Sequence, residues 1–106
     1  MKTFENISLK EYNTFGIDVK ARRMVVLEPG DEVPPLDGEV LVLGGGSNMV
    51  FTKDYDGTVV TLSSTFHLSP LASHLVTAWA GIVMDDLIQW TLDNGLYGME
   101  NLSAIP

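Results

Sequence analysis

The chain has 106 residues, 45% of them hydrophobic, and a formal net charge of −8 from six cations against fourteen carboxylates. A chain of this size forms one domain at most and buries about two-thirds of its unfolded surface. It has no cysteine, which excludes a disulfide framework, a thiol nucleophile and a cysteine zinc site. All six cations lie at or before Lys53 with eight carboxylates, and six carboxylates with no cation follow, which argues against a nucleic-acid partner.

The N-terminal residues Met1–Asn6 lack the apolar core of a signal peptide, and no run of about 18 apolar residues is present to cross a bilayer. The expectation is a soluble, cytoplasmic protein with no membrane partner. Asn13-Thr14-Phe15-Gly16 is rich in turn formers. Lys20, Arg22 and Arg23 form the one cationic cluster and read as a solvated entrance to a strand, Met24–Leu27. Residues 28–38, with Pro34-Pro35 and two glycines, disfavour a helix. They are near the minimum length for a parallel crossover.

Val40-Leu41-Val42-Leu43 is fully apolar, the pattern of a central strand covered on both faces. Gly44-Gly45-Gly46-Ser47-Asn48 follows directly. Glycines let the backbone approach a ligand closely, so that successive N–H groups converge on an anion, and Ser47 and Asn48 add side-chain donors. A P-loop is excluded because no lysine follows before Lys53. A dinucleotide fingerprint starting at Gly44 would need glycine where the chain has Met49, and a helix where it has Met49-Val50-Phe51-Thr52. A phosphate here would be held by loop amides; a plain turn between strands is the other reading of the loop by itself. On the ligand reading, valine at Gly45 or Gly46 blocks the ligand and leaves the fold largely intact.

A third strand, Thr58–Leu62, is entered through an Asp56-Gly57 turn, residues 63–74 read as short and irregular, and Leu75–Ala80 is a fourth strand. Val83, Met84, Leu87, Ile88 and Leu92 recur at helical spacing, with Asp85 and Asp86 in the first turn and Gly95 at the end, which predicts a helix over 83–94. Asp85 and Asp86 are adjacent, point about 100° apart on a helix, and form no facing carboxylate pair. His67 and His74 have no carboxylate in ligand spacing, so no metal site is expected. Trp79 and Trp90 read as core or interface aromatics.

Asn13–Gly16, Gly44–Asn48, Asp54–Val60, Ala80-Gly81 and Gly98–Pro106 occur in an order and spacing that resemble the N-terminal flavin-binding region of the UDP-N-acetylenolpyruvoylglucosamine reductase family, over essentially the whole chain. The resemblance implies an α+β fold of the vanillyl-alcohol-oxidase (PCMH) type. Residues 1–63 would be a first lobe with a small parallel sheet, and residues 74–106 the start of a truncated second lobe. It implies FAD as cofactor and NADPH as hydride donor of the parent enzyme. The reaction implied is reduction of UDP-N-acetylglucosamine enolpyruvate to UDP-N-acetylmuramate in cell-wall peptidoglycan synthesis. The cofactor-binding residues implied are Gly44, Gly45, Gly46, Ser47 and Asn48, with Asn13, Thr14, Gly81, Asn101, Ile105 and Pro106 beside them.

By the resemblance, the family's catalytic serine, arginine and glutamate are expected to have no matching positions among these residues, nor its substrate domain a counterpart. The chain is thus expected to be inactive by itself, to hold FAD weakly or not at all and to self-associate through unfinished strands. Relatives also carry a crossover helix where this chain has residues 28–38, so a trimmed lobe or an uncovered sheet face is expected. Another FAD-dependent oxidoreductase of the same superfamily, or a non-catalytic remnant without flavin, are the alternatives.

Overall fold

The computed structural model describes residues 1–104. Six strands and one α-helix fall into two compact units, Met1–Ser63 and the residues from Ser64 onward. The fold is α+β: a mixed four-stranded sheet in the first unit, and a strand pair with the helix in the second.

The strands of the first unit are β1 (Lys2–Ser8), β2 (Lys20–Leu27), β3 (Val40–Leu43) and β4 (Tyr55–Leu62). The sheet order is β1-β2-β4-β3, with β2, β4 and β3 parallel and β1 antiparallel to β2. The parallel sheet therefore gains an antiparallel member that no periodicity in Lys2–Ser8 announces. Its residues are mostly exposed, and the strand exists because β2 offers it a ladder from Lys2↔Val26 to Ser8↔Lys20.

Three expectations about the strands are corrected. Val40–Leu43 is an edge strand, and β4, with Gly57–Thr61 all buried, is central. The crossover at 28–39 contains no helix; Val42 stands 72% exposed on the edge strand, but Val60 and Val25 in the same row across the sheet are 5% and 0% exposed, so that face is open at its β3 edge and not uncovered as a whole. Asp56-Gly57 is not a turn but lies inside β4. β2 likewise begins at Lys20 rather than Met24, because pairing with both neighbours extends it through the cationic cluster. Arg22 points to solvent, where its Nε lies 3.7 Å from Asp56 Oδ1. An exposed pair of this kind contributes about 0–1 kcal/mol.

One face of the sheet carries the core: Met24, Leu43 and Val59 pack with Leu9, Val19 and Ala21. Met49 and Phe51 return to the same core. The glycine loop is thus anchored at both ends, by Leu43 before it, 2% exposed, and by Met49 and Phe51 after it.

In the second unit β5 (Leu68–Ala72) pairs antiparallel with β6 (Leu75–Ala78). The stretch expected to be irregular thus holds a strand, because β6 supplies its partner through the turn at Ser73-His74. β6 stops at Ala78, where Trp79–Ile82 turns and Ile82 N–H donates to Trp79 O at 3.0 Å. Helix α1 (Met84–Asp93) lies within the predicted range. Asp85 and Asp86 occupy its first turn, where carboxylates oppose the helix dipole. Its end is a Schellman arrangement: Gly95, at φ +71°, donates to Leu92 O, and Leu96 donates to Thr91 O. No helix among the described residues is long and apolar enough to cross a membrane.

Candidate flavin pyrophosphate site

The loop after β3 is non-helical through Asn48, as the β-branched and aromatic residues behind it require. Its three glycines serve different ends. Gly44 and Gly45 are exposed; a Cβ would meet nothing within 4 Å at Gly44, and only Ser47 Oγ at 3.7 Å at Gly45. Gly46 is buried, with φ +77°. A Cβ there would run into the Tyr12 carbonyl oxygen and come within 2.8 Å of Asn13 Cα. Gly46 is therefore glycine for packing and backbone conformation, and a side chain at 46 disrupts the fold as well as any ligand. That corrects the expectation that Gly45 and Gly46 are equivalent.

Among the described residues, no oxygen accepts a hydrogen bond from the N–H groups of Gly45, Gly46, Ser47 or Asn48. Unspent backbone donors on a short loop, beside open space at Gly44 and Gly45, are of the kind that bind anions. No group of ≥ 3 His, Cys, Asp or Glu among the described residues is placed to hold a metal.

Asn13 and Thr14 lie against this loop. Asn13 is 7% exposed. Its Nδ2 donates to Leu9 O at 2.7 Å and to Ile17 O at 3.1 Å, while its Oδ1 accepts from Ile17 N–H at 2.9 Å. Thr14 N–H donates to Gly46 O at 3.2 Å. Sequence reasoning marked both positions but not this contact, since nothing in the sequence signals that residue 13 meets residue 46. Gly81 and Asn101 belong to the second unit, in the Trp79–Ile82 turn and in the short 3-10 turn Glu100–Leu102. Ile105 and Pro106 lie outside the described residues.

The carboxyl of Asp31, in the crossover, is held below the ordinary carboxylate range. The main cause is the Glu28 N–H that it accepts at 2.8 Å, aided by the Met1 ammonium at 3.0 Å.

A model of the FAD binding domain family matches residues 34–106, which include the glycine loop. The chain belongs to that family. FAD is therefore the cofactor of this FAD-binding domain. The domain is 43% identical to the UDP-N-acetylenolpyruvoylglucosamine reductase of Pseudomonas putida over 112 residues, covering 96% of this chain and 33% of that protein. It is 34% identical to the reductase of the same name from Flavobacterium johnsoniae, over 100% of this chain and 34% of that one. The crystal structure of UDP-N-acetylenolpyruvylglucosamine reductase (MurB) from Thermus caldophilus superposes with a TM-score of 0.64 at 25% identity, over 99% of this chain and 38% of that one. The chain thus spans about a third of the length of the relatives it matches.

Proposed function

We propose that the chain provides the pyrophosphate-binding part of the flavin domain in a cytoplasmic UDP-N-acetylenolpyruvoylglucosamine reductase. The observation that carries this reading is the 43% identity running along 96% of the chain to the Pseudomonas putida enzyme. In the proposed site, backbone N–H groups of Gly44, Gly45, Gly46 and Ser47 donate to the pyrophosphate, and the Asn48 side chain closes the loop. Gly81, Asn101, Ile105 and Pro106 belong to the same proposed set by the resemblance to the reductase family. When bound, FAD supplies the two-electron chemistry that links NADPH oxidation to reduction of the enolpyruvyl double bond of the UDP-sugar, giving UDP-N-acetylmuramate. The residues of this chain bind and orient; no proton or hydride transfer is assigned to them.

The isolated chain self-associates under this proposal, because apolar side chains at strands and surface lack cover: Val42 is 72% exposed, Leu71 71% and Tyr97 78%. The function is tested by joining the chain to the remaining two thirds of the Pseudomonas putida enzyme. The chimera should be yellow and should oxidise NADPH in step with consumption of the enolpyruvyl sugar. A folded but colourless chimera would sink the proposal.

A further inference from the structure

We propose that Asn13 is a positioning residue for the glycine loop: it touches no ligand, and it fixes Gly46 in place and thereby the aim of the amides at residues 44–48. The inference rests on the reading of that loop as the pyrophosphate holder, and it assigns the job of aiming the loop to a segment more than thirty positions earlier in the chain.

Both amide hydrogens of Asn13 and its carbonyl oxygen are engaged, on Leu9 and Ile17. A buried side chain so committed has no donor left for a phosphate. Breaking its bonds would leave Ile17 N–H unsatisfied, while Leu9 O keeps the N–H of Tyr12 and Ile17 O that of Val19. The three bonds wrap residues 9–17 around one side chain, and Leu9 N–H to Val19 O at 2.7 Å and Gly16 N–H to Asn13 O at 3.2 Å close the same loop. The stiffened segment then bears on the glycine loop in two ways. Tyr12 O and Asn13 Cα fill the space where a Cβ of residue 46 would be. Thr14 N–H holds Gly46 O. Close-packed atoms transmit displacement, so a shift of the Asn13 backbone becomes a shift of Gly46 and of the amides on either side of it.

Two variants separate positioning from general stability. Thr14→Pro deletes the N–H that reaches Gly46, and the extended backbone of Asn13, φ −138° and ψ 147°, accommodates a following proline. Asn13→Asp keeps the acceptor for Ile17 and loses both donors. Thr14→Ala, which retains the N–H, is the control. The probe is ADP, which carries the pyrophosphate without the flavin ring, titrated into the 106-residue chain while amide resonances are followed.

In the unsubstituted chain and in Thr14→Ala, ADP should move the amides of residues 44–48. In Thr14→Pro and Asn13→Asp, those amides should already be displaced without ligand. ADP should then bind about tenfold more weakly, a loss of about 1.4 kcal/mol. Loop amides left in place in Thr14→Pro, or undiminished ADP affinity there, would overturn the inference. Absence of any ADP response in the unsubstituted chain would instead remove the pyrophosphate reading, and the ligand-free resonances would still decide whether Asn13 and Thr14 set the loop.

Discussion

Replacing Gly46 with alanine should unfold the first unit far more readily than the same change one residue earlier. Gly46 has φ +77°, where a Cβ costs about 1–2 kcal/mol. Its Cβ would also press into Tyr12 O and Asn13 Cα, and forcing an added carbon into a close-packed site costs about 1–3 kcal/mol. Together these make a loss of about 2–5 kcal/mol. At about 4–8 °C per kcal/mol for a unit of this size, the unfolding midpoint should fall by about 8 °C or more. Gly45 meets only Ser47 Oγ at 3.7 Å and is not left-handed, so Gly45→Ala should stay within about 0.5 kcal/mol of the parent. Trp79 and Trp90 both lie in the second unit, so tryptophan fluorescence does not follow this transition. Hydrogen exchange at the buried core amides of Met24, Val25 and Val59 does. Equal protection in the two alanine variants would show that residue 46 has room, and that the Asn13 segment does not bear on it.

Three further outcomes are expected. Stability measured by urea unfolding should carry a contribution from Asp31, whose folded carboxyl titrates below its unfolded value. That contribution is fully present above the unfolded value, near pH 4, and is lost as pH falls through the lower folded one; Asp31→Asn should flatten this slope. Ala104 has φ +63° while its N–H donates to Asp85 Oδ1 at 2.8 Å. Ala104→Gly should therefore relieve about 1 kcal/mol of backbone strain and slow exchange of that amide, whereas unchanged exchange would refute the strain. Val42→Lys on the edge strand β3 should shift sedimentation toward monomer and change the unfolding free energy by no more than about 0.5 kcal/mol; an unaltered size distribution would place the association elsewhere.

Features whose causes lie within a few residues were legible in the sequence. The glycine loop behind an apolar strand, the helix bounded by Asp85-Asp86 and Gly95, and the loop character of residues 44–48 all follow from local backbone preference, side-chain periodicity and dipole. The tertiary structure decided what depends on partners far along the chain. Lys2–Ser8 is a strand only because β2 offers it a ladder. Leu68–Ala72 is one only because β6 does. Val40–Leu43 has the composition of a buried central strand, yet it lies at the edge, since sheet order is set by which strands pair and not by how apolar each one is. The triple glycine divides its roles for the same reason. Gly44, Gly45 and Gly46 are identical as residues, and only the arrival of Tyr12 and Asn13 beside the third makes it a packing position while the other two stay open.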